Sequence, residues 1–282
     1  MAPLTWLITG CSSGFGLELA RQLLARGDKV IATSRTKSKI TDLEKQGAII
    51  VEVDPTQPDS QVKAAVDAGI KKAGKIDVLV NNAAYMLAGA NEVLTAEEWQ
   101  SHFDVNVFGA LRMLRVVLPH LRRQRSGTIV NMGSLSGWES HPGSGAYNAT
   151  KFAIAGISES LKLELAPFGI EVVCIEPGTF RTNFLSPEHR VASSGKIEDY
   201  ETLTDGMKEA LDAFDQAQVG DPAKGARVII EAVTRTGAFS GKGALPARMT
   251  LGSDAAEAVR TKLQALSEAH ETWSPLTSDT DW

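Results

Sequence analysis

The amino-acid sequence predicts a single α/β domain, built on a doubly wound parallel sheet with helices on both faces. Short apolar runs alternate along the chain with longer segments whose apolar residues recur at helical spacing, and this alternation is typical of βαβ units. Right-handed crossovers between such units wind the sheet in both directions. With 282 residues, 43% of them hydrophobic, the chain has the length of one large domain and enough apolar surface for a substantial core.

The N-terminal segment carries the first strand and the first helix. An apolar run over residues 4–9 stops at Gly10, and four leucines then follow at helical spacing up to Gly27. Glycine just beyond the last turn is a common helix end. This segment therefore predicts a strand, a glycine-rich turn and a helix.

The rest of the core repeats the alternation. Buried parallel strands are short apolar runs rich in β-branched residues. Further strands are predicted at residues 30–33, 49–53, 76–80, 128–131, 172–175 and 248–251. Helices are predicted at about 59–73, 96–120 and 147–166, and from about 222 onward.

Residues 183–220 differ in composition from the core. They hold eight acids against three bases, together with a Ser-Ser-Gly stretch. We interpret them as an insertion of loop and helix that contributes to substrate binding, within one catalytic domain that spans 1–282. The last residues, from about Trp273, are rich in Ser, Thr and Asp, and we expect them to be frayed.

Composition excludes several classes of protein. The net charge of −5 argues against a general nucleic-acid binder, which usually has a basic footprint. Cys11 and Cys174 are too few for a disulfide framework or a cysteine metal cluster, so no metal site is expected. The N-terminus has no basic region before its short apolar stretch, which argues against a signal peptide or a membrane span. We therefore expect a soluble cytoplasmic protein.

The glycine-rich turn predicts a Rossmann-type dinucleotide site. Residues 9–16 read TGCSSGFG, and they lie between the first strand and the first helix. Glycines let the backbone approach a pyrophosphate, and the helix N-terminus supplies free N–H groups and a favourable dipole. A glycine turn without a ligand is the alternative, but the alternating α/β context favours binding.

The end of the second strand predicts NADP(H) as the cofactor. An NAD enzyme tends to place an acid here for the ribose hydroxyls, whereas an NADP enzyme uses an arginine for the 2′-phosphate. Ser34 and Arg35 occupy this position, with Lys37 and Lys39 behind them and no acid. The alternative is that Arg35 is a solvated residue at the start of a helix.

Two further strand ends supply candidate cofactor contacts. Asp54 follows the third strand and can accept a hydrogen bond from the adenine amino group, although it could also be a turn residue before Pro55. Asn82 follows the fourth strand in the small-residue run 81–84. Small residues at this edge of the sheet let the adenosine ribose pack closely.

Tyr147 and Lys151 are the candidate reacting residues. At positions i and i+4 of a helix they share one face, so the phenol and the ammonium can point into one cleft. A nearby ammonium favours the phenolate, so we expect Lys151 to lower the pKa of Tyr147. Tyr147 can then exchange a proton with a substrate oxygen while a nicotinamide exchanges hydride. Lys151 can also bind the nicotinamide ribose.

Two polar residues accompany this pair. Ser134 follows the fifth strand and can hydrogen-bond the substrate oxygen, with Ser136 as the competing candidate. Asn106 lies inside the predicted helix 96–120, where its amide can divert backbone hydrogen bonds and hold a water that relays protons to Lys151.

Four phrases of the sequence resemble the short-chain dehydrogenase/reductase family, in the branch marked by TGxxxGxG and YxxxK. They are LITGCSSGFG (7–16), FDVNVFGALR (103–112), GSGAYNATKFA (143–153) and LELAPFGIEVVCIEPGTFRTNF (163–184). The resemblance covers about residues 4–185 and is nearest to the group labelled 17β-hydroxysteroid-dehydrogenase-like. Two departures from the family pattern, Ala84 for a glycine and Gly133 for a serine, leave the reacting residues intact.

Resemblance to this family implies a set of site residues. The implied catalytic tetrad is Asn106, Ser134, Tyr147 and Lys151. The implied cofactor contacts come from the glycine turn, the strand ends and the loop after the sixth strand: Gly10, Ser12, Ser13, Phe15, Gly16, Arg35, Asp54, Asn82, Tyr147, Lys151, Pro177, Gly178, Phe180 and Thr182.

Loops at the carboxyl edge of the sheet are expected to select the substrate. Trp138 and Phe184 could instead only pack these loops, and His141 could be a solvated residue. The candidate substrate residues are mostly apolar: Tyr85, Met86, Leu135, Trp138, His141 and Phe184.

Together these features predict an NADP(H)-dependent carbonyl reductase or alcohol dehydrogenase acting on a small hydrophobic substrate. One alternative is a non-catalytic NADP-binding regulator, and another is the same fold running epimerase or dehydratase chemistry. The family resemblance also implies a homodimer or homotetramer, formed through the helices that carry Asn106 and Tyr147.

Overall fold

The computed structural model describes residues 2–280 of the chain. Within them, seven strands form a central sheet and two short strands form a separate pair. In chain order the strands are β1 (Thr5–Ile8), β2 (Lys29–Ser34), β3 (Ile49–Glu52), β4 (Val78–Asn81), β5 (Leu87–Ala88), β6 (Gly127–Met132), β7 (Ile170–Pro177), β8 (Val191–Ala192) and β9 (Arg248–Leu251). The helices are α1 (Gly14–Arg26), α2 (Thr41–Lys45), α3 (Asp59–Ala73), α4 (Ala96–Phe103), α5 (Gly109–Gln124), α6 (Gly145–Leu165), α7 (Glu201–Phe214), α8 (Pro222–Thr234) and α9 (Ser253–Thr277).

The strand order of the central sheet is β3-β2-β1-β4-β6-β7-β9, and neighbouring strands are parallel throughout. The chain runs from β1 outward to β3 and then returns to β4 on the other side of β1. Such a reversal opens a crevice beyond the carboxyl ends of the two central strands. The predicted doubly wound α/β fold is confirmed.

Alternate residues of β1 face opposite helical layers. Trp6 and Ile8 pack with residues of α1 and α8 such as Leu19, whereas Leu7 packs with residues of α3 and α5 such as Val117. All five side chains are fully buried. Since burial of a large apolar side chain stabilises a fold by about 1.5–3 kcal/mol, these two layers hold the sheet rigidly beneath the crevice.

The helix predicted at 96–120 contains a wider turn in its middle. α4 runs into a π-helical turn, Asp104–Phe108, and α5 continues from that turn to Gln124. Asn106 lies at the centre of the π-helical turn and is buried. Single π-helical turns inside α-helices are often found at functional sites.

The prediction of a frayed end from about Trp273 is wrong for residues 273–277, and its last two residues, 281–282, lie outside the described residues. α9 begins at Ser253 and continues to Thr277, beyond Trp273. Ala255 and Val259 bury its first turns against the body, and the following residues are mostly strong helix formers such as Ala, Leu, Glu and Gln. Helix propensity therefore outweighs the polar composition of the final turn.

Residues 183–220 fold as loops, short turns and one helix, α7. Their strand β8 pairs in parallel with β5, a pairing that the sequence pattern did not indicate. This pair attaches the segment to the loop that follows β4, so that α7 lies over the carboxyl edge of the sheet. Among residues 2–280, no helix is both long enough and apolar enough to cross a bilayer.

Candidate active site

A cleft of about 1640 Å³ lies at the carboxyl edge of the central sheet. Three of the predicted site residues, Gly16, Asn106 and Trp138, do not line it. The predicted residues that line it are Gly10, Ser12, Ser13, Phe15, Arg35, Asp54, Asn82, Tyr85, Met86, Ser134, Leu135, His141, Tyr147, Lys151, Pro177, Gly178, Phe180, Thr182 and Phe184.

The glycine turn forms one end of the cleft. Gly10 has a φ of +72°, a conformation that side-chain-bearing residues rarely adopt. Gly16 lies behind the turn, where a Cβ atom would come within 2.3 Å of the Gly10 carbonyl oxygen. Gly16 therefore lets the turn close, which explains why it does not line the cleft.

The N-terminus of α1 faces the cleft with its N–H groups free. The N-cap residue, Ser13, makes no side-chain hydrogen bond to the first turn, and the first turn holds no acid. The first N–H groups of a helix have no partner within the helix and carry a partial positive charge. This end of the cleft can therefore bind an anionic group such as a pyrophosphate.

Asn82 braces the glycine turn against β4. Its Nδ2 atom donates to the carbonyl oxygens of Thr9 (2.8 Å) and Gly10 (3.2 Å). The Thr9 hydroxyl in turn accepts from the backbone N–H groups of Asn82 and Ala83, both at 2.9 Å. The geometry thus gives Asn82 a structural task, while its predicted contact with the adenosine ribose remains a proposal.

Charged residues of both signs line the end of the cleft beyond β2. Arg35 is exposed there, and Lys39 also lines this end. Asp54 uses its Oδ1 atom to accept from the backbone N–H of Thr56 (2.9 Å) and from the Thr56 hydroxyl (2.7 Å). Asp54 is therefore a turn residue, and its Oδ2 atom makes no hydrogen bond within the described chain.

Tyr147 and Lys151 lie one turn apart on α6, at the centre of the cleft. The Lys151 Nζ atom is 5.5 Å from the centroid of the Tyr147 ring and donates to the Met132 carbonyl oxygen at 2.7 Å. The Ser134 hydroxyl accepts from the backbone N–H of Ser136 at 3.1 Å. Ser134 and Ser136 both line the cleft, and of these two serines it is Ser134 whose side chain acts on the pKa of Tyr147.

The pKa of Tyr147 differs from the expectation. Burial raises it to about 12, although the side-chain hydrogen bond with Ser134 acts to lower it. Burial also lowers the pKa of Lys151 to about 8, while the nearby Cys174 acts to raise it. Loss of hydration is thus the largest influence on the pKa of both groups. In the protein without cofactor the phenol is protonated at neutral pH.

The Asn106 amide hydrogen-bonds the backbone of Tyr85 and makes no hydrogen bond with Lys151 among the described residues. Its Oδ1 atom accepts from the backbone N–H of Tyr85 at 3.1 Å, and its Nδ2 atom donates to the Tyr85 carbonyl oxygen at 2.9 Å. The amide therefore holds the loop after β4 in place at the cleft wall. Its predicted role in a water relay to Lys151 stays a prediction.

Trp138 is a correction to the predicted substrate residues. Its indole Nε1 donates to Glu176 at 2.7 Å, and the guanidinium of Arg248 stacks 3.8 Å from the centre of its ring. Arg248 also donates to Glu176 at 2.6 Å and to the Gly137 carbonyl oxygen at 3.0 Å. Trp138 therefore anchors the loop after Ser134, as its packing alternative stated, because charged partners on β7 and β9 hold it outside the cleft.

Phe184 and one face of α7 form an apolar wall of the cleft. The Phe184 ring lies 5.6 Å from the Tyr147 ring, centre to centre. The α7 residues in the wall were not predicted, although their spacing of 4, 3, 1 and 3 along the sequence matches one helix face. They are Leu203, Met207, Ala210, Leu211 and Phe214.

The low pKa of Lys151 has a measurable effect on stability. Unfolded lysine keeps its proton to about pH 10.5, whereas Lys151 in the fold releases it near pH 8. Because the unfolded chain then binds more protons over this window, Lys151 contributes stability that increases from pH 8 to 10.5. In urea unfolding of the cofactor-free protein, wild type should gain stability relative to Lys151→Met over this window, with a constant difference below pH 7. If the free energies of unfolding of the two proteins changed in parallel across the whole pH range, burial would not lower the pKa of Lys151.

Comparisons with known proteins agree with this geometry. The family model described as short chain dehydrogenase matches residues 5–191. A 3-ketodihydrosphingosine reductase of Bacteroides thetaiotaomicron is 40% identical over 200 residues, covering 71% of this chain and 72% of the relative.

Two solved structures extend the comparison to the whole fold. A short-chain dehydrogenase from Streptomyces avermitilis has a TM-score of 0.87 and 34% identity, over 99% of both chains. A 3-ketoacyl-(acyl-carrier-protein) reductase from Brucella melitensis, complexed with NADH, has a TM-score of 0.73 and 25% identity, over 89% of this chain and 98% of that one. The parallel sheet, the glycine turn and these matches together make the chain a member of the short-chain dehydrogenase family of oxidoreductases.

Proposed function

We propose that the protein is an NADP(H)-dependent oxidoreductase that interconverts a ketone or aldehyde and an alcohol on an apolar substrate. The observation that carries this proposal is the meeting of Tyr147, Ser134 and Lys151 in one cleft with the glycine turn. This arrangement favours catalysis over a non-catalytic NADP-binding regulator, which would need the turn alone.

The residues of the cleft fit a nicotinamide dinucleotide. The glycine turn and the N-terminus of α1 form a cradle for a pyrophosphate. Gly10 has a positive φ, Gly16 lets the turn pack closely, and the first N–H groups of α1 point to the cleft. The loop after β7 adds Gly178 and Thr182 along the path from the turn to Tyr147. When bound, the nicotinamide supplies or accepts the hydride.

The reacting residues then have separate tasks. The Ser134 hydroxyl holds the substrate oxygen and stabilises the charge that develops on it. Tyr147 donates its phenolic proton to that oxygen in reduction and recovers it in oxidation. Lys151 binds the nicotinamide ribose and keeps a positive charge beside the phenol, which favours the phenolate during transfer. The protonated state of Tyr147 in the cofactor-free protein suits reduction.

The charge beyond β2 supports NADP(H) over NAD(H). Arg35 and Lys39 line this end of the cleft, and Asp54 already accepts two hydrogen bonds from Thr56. An arginine can bind a 2′-phosphate through paired hydrogen bonds, whereas an NAD enzyme usually places an acid there. Since the Brucella relative is complexed with NADH, family membership alone does not decide this preference.

The wall formed by α7 supports an extended apolar substrate. No residue of α7 is buried within the chain itself, and its large apolar side chains line the cleft. Among residues 2–280, the lysines and arginines lining the cleft are Arg35, Lys39 and Lys151, while the acids Asp54, Glu139 and Glu188 also line it. The proposed cofactor contacts use these three bases, which leaves none of them to bind an anionic carrier. We therefore propose that the substrate is a free apolar carbonyl compound and not one joined to such a carrier. The relative named for 3-ketodihydrosphingosine is a reductase of such a ketone.

Two alanines on α7 provide a matched test of this wall. Ala210 lines the cleft and Ala213 does not, although both are exposed. Ala210→Trp should lower kcat/KM for a long-chain methyl ketone by about tenfold, since overfilling space costs about 1–3 kcal/mol, and should leave butanone nearly unaffected. Ala213→Trp should change neither. Equal effects of the two variants, or an equal loss with both ketones, would contradict the proposed wall.

The reaction is tested by following NADPH consumption with a panel of aliphatic and aromatic ketones and aldehydes. We expect turnover that is faster with apolar members. Tight NADPH binding without any turnover would favour the regulator, and a product with unchanged oxidation state would favour epimerase or dehydratase chemistry. A homodimer or homotetramer, the cytoplasmic location and the steroid-dehydrogenase-like grouping remain predictions.

A further inference from the structure

His102 is a fully buried titratable residue next to the reacting centre, and the proposed chemistry does not use it. It lies on α4, one turn before Asn106. Its ring meets the Tyr85 ring edge-on, with 4.8 Å between centres and 82° between planes. The Tyr147 ring lies 6.2 Å away on another side.

Hydrogen bonding determines which nitrogen of His102 carries the proton. The two hydrogen bonds between Asn106 and the Tyr85 backbone identify which atom of the Asn106 amide is the nitrogen. The Nδ2 atom of that amide, a donor, then lies 3.3 Å from the His102 Nε2 atom. Since two donors cannot bond, Nε2 is the unprotonated acceptor, and the neutral imidazole carries its hydrogen on Nδ1.

The surroundings keep the ring neutral at a cost. Burial and, as a smaller effect, the positive charge of Lys151 lower the pKa of His102 to about 4. The Nδ1 atom is buried without a hydrogen-bond partner in the described chain. A buried polar atom without a partner destabilises a fold, so an apolar residue would be the more stable choice here. Such a cost at the edge of a reacting centre suggests a functional benefit.

The Asn106 amide connects His102 to the helix of Tyr147. Its Nδ2 atom also lies 3.3 Å from the Thr150 hydroxyl, which donates to the Tyr147 carbonyl oxygen at 2.8 Å. The same amide holds Tyr85 at the cleft wall. A change in its orientation would therefore move both the first turn of α6 and the loop after β4.

The geometry points to His102 as a positioning residue, which orients the Asn106 amide and thereby aligns Tyr147 and the Tyr85 loop for the reaction. This inference rests on the proposed carbonyl chemistry. It assigns His102 no contact with substrate or cofactor, and it requires the acceptor Nε2 rather than the shape of the ring.

Two substitutions separate the acceptor from the ring. His102→Phe keeps a planar ring and removes both nitrogen atoms, while His102→Gln places an amide oxygen near the position of Nε2. We expect His102→Phe to lower kcat by about five- to tenfold, the usual effect of one lost hydrogen bond, with the KM for ketone and the Kd for NADPH within about twofold. His102→Gln should recover most of the rate. His120→Phe, on the far part of α5 where His120 bonds Asp67, is the matched control and should behave as wild type.

Stability gives a second readout. Because His102→Phe removes the unpartnered Nδ1 atom, its melting temperature should equal or exceed that of wild type while kcat falls. A parallel loss of rate and melting temperature would assign His102 a merely structural role and overturn the inference. An unchanged kcat in His102→Phe, or a His102→Gln variant as slow as His102→Phe, would also overturn it.

A measurement without turnover separates this inference from the proposed function. Nitrogen-15 NMR of the histidines should find His102 neutral, with its proton on Nδ1, from pH 8 down to pH 5. A proton on Nε2 would overturn the inference even if the enzyme reduces ketones. Absence of turnover in wild type would instead overturn the proposed function, and with it the positioning role.

Discussion

Replacing Tyr147 with phenylalanine is expected to lower kcat for carbonyl reduction by about a hundredfold to ten-thousandfold, the usual contribution of a positioned proton donor. The Tyr147 phenol is buried, and its pKa of about 12 keeps it protonated at neutral pH. Phenylalanine retains the ring and its packing against Phe184, so the fold and the nucleotide site should persist. Steady-state kinetics and an NADPH titration measure the two effects separately.

Tyr200 supplies the control for this experiment. It is a half-buried tyrosine whose hydroxyl donates to Glu92 at 2.8 Å. Tyr200→Phe therefore removes a phenol outside the cleft, and it should leave kcat unchanged. A Tyr147→Phe variant with wild-type kcat would show that Tyr147 is not the proton donor. A variant that no longer binds NADPH would indicate a damaged nucleotide site.

Replacing Arg35 with aspartate is expected to reverse the cofactor preference. Loss of a charged hydrogen bond to the 2′-phosphate and the new repulsion should raise the Kd for NADPH by about a hundredfold. NADH has no such phosphate, and an acid at this position can bind the ribose hydroxyls, so the Kd for NADH should stay the same or fall. Fluorescence titration with both nucleotides measures the change.

Lys37 provides a control with the same change in charge. Its side chain pairs with Glu44, and it does not line the cleft. Lys37→Asp should therefore shift NADPH binding by less than about threefold, the scale of an exposed charge. If Arg35→Asp and Lys37→Asp raise the Kd for NADPH equally, the effect comes from the overall charge of the protein, and Arg35 does not bind the 2′-phosphate.

Sequence periodicity was sufficient to predict the sheet, because each buried strand is a short apolar run and each covering helix carries a continuous apolar stripe. α9 was not predicted, because most of its side chains beyond Val259 are exposed and therefore form no apolar stripe in the sequence. The π-helical turn around Asn106 also leaves no periodic signal, since one widened turn shifts the pattern by only one residue.

Residues that follow strand ends were predicted correctly as cleft residues, because parallel strands bring their carboxyl ends to one edge. Trp138 was misplaced because its partners, Glu176 and Arg248, lie 38 and 110 residues further along the chain. A local pattern carries no record of such contacts. The acid Glu176 in β7 and the arginine Arg248 in β9 were the features of the sequence that could have indicated charged partners for Trp138.

The pKa of Tyr147 shows a different limit. Spacing placed Lys151 beside Tyr147, and attraction between their charges was expected to lower the tyrosine pKa. Both side chains are buried, and dehydration depends on the whole fold around them rather than on their spacing. The positions of reacting groups can therefore be predicted from spacing, whereas their protonation states need the three-dimensional surroundings.

Transfer of deuterium from NADPH to a ketone tests the central claim most directly. The purified protein would be incubated with a long-chain methyl ketone and NADPH that carries deuterium at both C4 positions, and the product analysed by mass spectrometry. We predict an alcohol with one deuterium on the former carbonyl carbon, absent with Tyr147→Phe over the same time. Complete recovery of undeuterated ketone, with NADPH bound and unconsumed, would contradict the assignment of this cleft to carbonyl reduction.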